Sequence, residues 1–188
     1  MVYVFGLGNP GPEYELTRHN AGVETLEKLA AFFQVKLKKR CFCNYRWARI
    51  DTPETGKVTL VFPLTYMNLS GNAARNLVRA EDDVIVICDQ MDLRPGSLRM
   101  KNGGSSAGHN GLKSMLTAIE GDFKRVYIGV GRPPEGVSVP DHVLSRFSDE
   151  DRALVDRAED EAVSCIAALL RKERFELVQM RANSFRAE

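Results

Sequence analysis

Apolar positions along the chain follow two alternating rhythms. Runs rich in β-branched and aromatic residues at Val2–Leu7, Val58–Phe62, Val84–Cys88 and Arg125–Val130 predict buried strands, and Phe42–Ile50 and Ser97–Lys101 read as two more. Between them the spacing changes to that of a helix. Val23, Leu26, Leu29, Ala30 and Phe33 fall on one helical face behind Asn20, a residue suited to the N-cap. Further helices are predicted over Ser70–Arg79, Asn110–Ile119 and Phe175–Arg181. A long one starts at Ser148 and runs to about Leu170, with Asp149, Glu150 and Asp151 complementing the dipole in its first turn. Val139–Phe147 is amphipathic, and no repeat, low-complexity tract or linker interrupts the pattern. Strand alternating with helix over residues 1–188 predicts a single α/β domain, a mixed sheet sandwiched between helices.

Composition narrows the function classes. Of 188 residues, 44% are hydrophobic and 27% charged, as in an ordinary globular domain. No apolar run approaches the roughly 20 residues that span a bilayer, so no membrane association is expected. The four cysteines show no paired metal-ligand spacing, and a reducing cytoplasm is the simplest compartment. A net charge of +1 excludes a globally basic nucleic-acid binder. Charge is unevenly spread, however. Residues 94–132 carry seven basic and two acidic groups, whereas residues 141–188 carry eight basic and eleven acidic ones. One local face for an anion is therefore expected.

Two motifs mislead. Gly6-Leu7-Gly8-Asn9-Pro10-Gly11 fits the dinucleotide fingerprint after a strand, but Pro10 and Pro12 hold the chain extended and the helix starts only near Asn20. Gly104-Ser105-Ser106-Ala107-Gly108 fits the nucleophile elbow of serine hydrolases, which would make Ser106 a nucleophile. No hydrophobic strand directly precedes it. A loop whose small residues let a ligand or backbone approach is the simpler explanation.

Polar residues gather instead at predicted strand ends and helix starts: Asn9, His19, Asn68, Asp89, Asp92, His109 and Asn110. Together they suit hydrolysis without a metal. A neutral imidazole can take a proton from water near neutral pH, a carboxylate on its other nitrogen fixes the tautomer, and carboxamides can hold a carbonyl and its oxyanion. No spacing sets two metal ligands on one helix face, so neither metal nor cofactor is expected.

Four blocks carry a resemblance: Gly6–Gly11 with Glu13-Tyr14, Thr17–Gly22, Thr65–Gly71, and Gly108–Ser114. In this order, and with Ile128–Pro133 and Val143–Phe147, the chain resembles the bacterial peptidyl-tRNA hydrolase family over nearly its whole length. The resemblance implies a three-layer α/β/α fold of the phosphorylase/hydrolase-like kind. It also implies a monomer that cleaves the ester between a peptide and the 3′-terminal ribose of tRNA, recycling peptidyl-tRNA. By the family's pattern His19 is the base that activates water and Asp92 orients it. Asn9, Asn68 and Asn110 bind substrate near the ester, and Tyr14, Tyr66 and Met67 line the cleft. His109 is a cleft histidine, and Lys101 holds the tRNA 5′-phosphate. The 137–150 segment is a candidate mobile lid.

Tyr127 stands where many members carry a second phosphate-binding arginine, leaving Arg125 and Arg132 as candidates to compensate. Gln90-Met91 and Ala107 also depart from the family pattern. The main rival function is a non-catalytic RNA-binding relative, followed by a serine esterase using Ser106.

Overall fold

The structure is a computed structural model that describes every residue except Arg40. Among the described residues seven strands form one sheet: β1 (Val2–Gly6), β2 (Lys38–Lys39), β3 (Tyr45–Thr52), β4 (Gly56–Pro63), β5 (Asp83–Gln90), β6 (Leu98–Asn102) and β7 (Lys124–Gly129). Their order is β2-β3-β4-β1-β5-β7-β6. The four central strands are parallel, β3 on one side and β6 on the other run against them, and β2 pairs antiparallel with β3. Hydrophobic stretches unbroken by polar residues, such as Val84–Cys88, are what a strand covered on both faces requires.

Helices cover both faces. α1 (Ala21–Phe32), α5 (Asp149–Leu170) and α6 (Phe175–Ser184) pack on one core layer, and the short α2 (Gly71–Arg75) and α3 (Asn110–Leu116) on the other. The three-layer α/β/α sandwich and the mixed sheet agree with the expectation. α4 (Val139–Val143) is an extra turn of helix within the amphipathic stretch.

Several boundaries moved. The strand expected at Phe42–Ile50 starts only at Tyr45, because Phe42 has a left-handed φ of 63° in a turn and its side chain is fully exposed. The helix expected to reach Arg79 stops at Arg75, and the chain turns twice before β5. Asn20 precedes α1 but does not cap it. Its side chain is spent elsewhere: Oδ1 accepts from the Asn9 N–H at 2.8 Å and Nδ2 donates to the Asn9 carbonyl at 3.1 Å.

α1 can lie directly on the sheet because of Gly22. A Cβ there would come within 2.4 Å of the Ile87 carbonyl oxygen and 2.6 Å of that of Leu7. This close approach brings the turn before α1 down onto the ends of β1 and β5. β1 lies at the centre, pairing with β4 on one side and β5 on the other, and such a switch point opens a crevice beyond the strands' carboxyl ends.

One buried charge stands apart from the apolar layers. Arg125 on β7 is wholly buried. Its guanidinium donates to the carbonyls of Gly104 and Ser105, and to the Tyr127 hydroxyl at 3.3 Å, and lies 4.8 Å from the centre of the Phe123 ring. Among the described residues no carboxylate lies within ion-pair distance of it.

Candidate active site

The crevice holds a cavity of about 610 Å³. Its walls come from four places: Asn9 after β1, Tyr66, Met67 and Asn68 after β4, the end of β5 at Asp89–Met91, and Ala107–Asn110 where α3 begins. His19 enters from the turn before α1, and α4 closes the outer side. Most of these residues were expected at the site, and the fold brings them together.

The carboxylate that meets His19 is Asp89, which corrects the expectation of Asp92. His19 Nδ1 donates to Asp89 Oδ1 at 2.8 Å, and the Asp89 side chain is only 2% exposed. Asp92 lies past the strand end in a turn, 55% exposed, and pairs with Arg132 at 2.6 Å. Strand alternation held the missed signal. Asp89 continues the series Ile85, Ile87, whose side chains belong to the core layer beneath α1, and His19 immediately precedes that helix.

Asp89 Oδ1 also takes a second imidazole. His109 Nε2 donates to it at 2.9 Å, and the two rings lie 5.1 Å apart, centre to centre. The other nitrogen of His109 is occupied as well: Nδ1 accepts the Leu112 N–H at 3.2 Å, capping α3. This bond fixes the His109 tautomer, with its proton on Nε2 aimed at Asp89. His19 likewise presents Nδ1–H to Asp89. Of the four ring nitrogens, only His19 Nε2 has no protein partner among the described residues.

The same three groups have ligand atoms within 4.8 Å of one another, close enough to share a cation. Their hydrogen bonds argue otherwise. Metal ligation would need a lone pair on His109 Nε2, where the capping bond places a proton, so the donors are arranged to hold a carboxylate.

Burial sets the electrostatics. It pushes the Asp89 carboxyl up, but the two imidazoles outweigh that effect and hold the carboxyl well below the usual carboxylate range. Burial also lowers the affinity of His19 for a proton, whereas the Asp89 charge and hydrogen bond raise it. The net shift is upward from 6.5.

The carboxamides are arranged as donors. Asn9, 7% exposed, spends its Oδ1 on the Met67 N–H at 2.8 Å, which leaves the Nδ2 end free toward the cavity. Gly111 lets α3 approach this floor, since a Cβ there would come within 2.4 Å of Met67 Sδ. Asn68 and Asn110 line the cavity. Tyr14 does not line it. It packs edge-on against Tyr66 with ring centres 6.3 Å apart. Lys101 is also away from the cavity, exposed on β6 and packed beside Gly104.

Ser106 does not line the cavity either, and among the described residues neither His19 nor His109 is bonded to its hydroxyl, so the pairing of a serine nucleophile with its base is not formed here. His142 is a buried support whose Nε2 donates to the Gly131 carbonyl at 2.9 Å. Of the two arginines that are candidates to compensate for Tyr127, Arg125 is buried and Arg132 is exposed in an ion pair. The first turns its donors onto the loop carbonyls and the second is held by Asp92.

Comparison with known proteins places these features in a family. The model of the family described as "Peptidyl-tRNA hydrolase" matches residues 3–188. The peptidyl-tRNA hydrolase of Geobacillus kaustophilus (strain HTA426) is 48% identical over 163 residues, covering 84% of this chain and 87% of that one. The one from Bacillus subtilis (strain 168) is 38% identical over 193 residues, covering 100% of both. The crystal structure of peptidyl-tRNA hydrolase from Acinetobacter baumannii superposes with a TM-score of 0.90 at 33% identity, over 100% of this chain and 97% of that one. The hydrogenase maturating endopeptidase HybD from E. coli, at 16% identity and a TM-score of 0.52, shares the fold alone. Family match, relatives and solved structure agree over almost every residue, and this chain belongs to the peptidyl-tRNA hydrolase family.

Proposed function

We propose that the protein hydrolyses the ester joining a peptide, or an N-blocked amino acid, to the 3′-terminal ribose of tRNA, and so recycles peptidyl-tRNA in the cytoplasm as a monomer. The observation that carries the mechanism is the His19–Asp89 hydrogen bond, which leaves His19 Nε2 as the one cavity ring nitrogen without a partner among the described residues. Nε2 takes a proton from a water molecule as its oxygen attacks the ester carbonyl. Asp89 keeps the ring in the productive tautomer and stabilises the imidazolium that forms. The amide groups of Asn9, Asn68 and Asn110 hold the acyl part and the developing oxyanion. As the tetrahedral adduct collapses, the imidazolium returns its proton to the departing ribose oxygen, and no covalent enzyme intermediate is needed. An ester with a ribose leaving group demands less of a catalyst than an amide, and a positioned base contributes roughly 10²–10⁴-fold.

The tRNA body approaches from the β6 edge. Lys101 and Arg99 are exposed there, and Arg99 lies directly opposite Tyr127. Binding through phosphates is independent of sequence, as an enzyme acting on many tRNAs requires. Among the described residues no helix is long and apolar enough to cross a membrane.

A single-turnover assay with N-blocked aminoacyl-tRNA tests the proposal. The wild-type protein should release the blocked amino acid, and His19→Ala should bind the same tRNA while losing at least about 10²-fold in rate. Binding without deacylation by the wild type would instead establish a non-catalytic RNA-binding relative.

A further inference from the structure

The cavity's outer wall is α4, which contributes Val139, Pro140 and Val143 together with the adjoining Leu144. A five-residue helix cannot hold its own place, so its anchors matter. The His142–Gly131 bond ties down the helix itself. The chain just past it, Ser145–Phe147, is fastened to the turn that carries His19. Thr17 forms a β-bridge with Arg146, and the Arg18 N–H donates to the Ser145 carbonyl at 3.0 Å. The Arg18 guanidinium adds bonds to Ser145 Oγ at 2.7 Å and the Arg146 carbonyl at 2.5 Å.

Phe147 extends this attachment into the body of the protein. Two guanidinium groups lie over its ring, Arg18 at 4.8 Å and Arg152 at 5.3 Å from the centre. Arg152 itself is held by three carboxylates: Glu24 on α1 at 2.7 Å, and Asp156 and Glu159 on α5, each at 2.8 Å. Lys28 of α1 binds Glu159 from the other side at 3.1 Å. An unbroken series of contacts therefore runs from the α1–α5 interface through Arg152, Phe147 and Arg18 to the turn bearing His19. A cation over an aromatic ring is worth more as water is excluded, and Arg18 and Arg152 have side chains only 12% and 20% exposed.

We infer that Phe147, held by Arg18 and Arg152, is the positioning residue that sets the α4 wall at its distance from His19, with the α1–α5 ion cluster as the fixed point. Phe147 does not line the cavity. It acts by keeping the wall where the acyl part of the substrate is enclosed, so its loss weakens substrate capture more than it slows the bond-breaking step. The kinetic half of this inference rests on the proposed hydrolase function, and the structural half does not.

The test uses Phe147→Leu and Arg152→Lys in the full chain, with Phe147→Tyr as the conservative control. Hydrogen exchange of the amides is compared with KM and kcat on N-blocked aminoacyl-tRNA. Expected are at least tenfold faster exchange confined to residues 139–147 in the first two variants, and a KM raised about 5- to 10-fold with a smaller change in kcat. The tyrosine variant should behave as wild type. Arg152→Lys keeps a cation in the ion cluster but loses the planar group over the ring, so it exposes the wall without removing an apolar side chain. Exchange that rises evenly across the fold, or protection of 139–147 that does not change, would overturn the inference. An inactive wild type would defeat the proposed function instead, while the exchange data would still decide the positioning role.

Discussion

Two carboxylates are withdrawn from water in this molecule, and they titrate in opposite directions. Asp89 at the end of β5 is 2% exposed, and Glu159 on α5 is fully buried. Burial pushes both carboxyls up. At Asp89 two imidazole donors converge on one oxygen and overcome that push. At Glu159 burial prevails. Arg152 and Lys28 pull the carboxyl down, but Glu24 crowds the same cations and raises it, and the result is about 7. Among the described residues Glu159 Oε1 has no hydrogen-bond partner, and neither has Arg152 Nε beside it. Burial alone does not tell whether a carboxylate is charged. What decides is the match between acceptor atoms and donors aimed at them, and whether a like charge shares those donors.

The largest effect should come from disturbing the better-matched site. Asp89→Asn keeps the shape but cannot hold two imidazole N–H groups in the same way, and turnover should fall by about 10²–10⁴-fold in single-turnover assays. The wild-type pH profile carries a related signature. His19 must be neutral to accept a proton and Asp89 raises its affinity for one, so the rate should fall with falling pH through a point above 6.5. In the residual activity of Asp89→Asn that limb should move to lower pH. A rate close to wild type would refute the pairing as a catalytic device.

An intermediate effect belongs to Glu159. Its native carboxyl titrates near 7 against an ordinary value of 4.5. The folded protein therefore holds that proton more tightly than the unfolded chain. The associated stability is fully present below 4.5 and is lost as pH rises to about 7. Glu159→Gln should flatten the stability curve across that window, by an amount on the order of 1–3 kcal/mol. Urea unfolding of both proteins at several pH values measures it, and parallel curves would show that the carboxyl does not titrate there.

The smallest effect is expected at Asp92. It is half-exposed and engaged with Arg132, away from the cavity lining, so Asp92→Asn should change the single-turnover rate by no more than about 2-fold. A large loss there would reverse the contrast between the two aspartates.

The contrast also shows how far the sequence could be read. The parallel strands were legible because apolar runs covered on both faces leave little else for the chain to do, and the polar residues at their ends marked the site. Local preference failed where a tertiary partner intervened. Asn20 has the chemistry of a cap, yet its amide is taken by the Asn9 backbone. The family resemblance implies Asp92 as the partner of His19, whereas the alternation of β5 through Ile85 and Ile87 points to Asp89. Arg125 gave no local sign of burial. Only the register, which sets it opposite Lys101 on β6 and beneath the glycine-rich loop, reveals its environment.

That interior guanidinium, answered among the described residues by carbonyl dipoles, a phenol and an aromatic face, has a consequence for the loop above it. Dissolved ions weaken contacts between exposed charges over a Debye length of roughly 10 Å at 0.1 M, but they weaken contacts withdrawn from solvent much less. The grip of Arg125 on the Gly104 and Ser105 carbonyls should therefore hold as ionic strength rises, and the glycine-rich loop stays moored to β7.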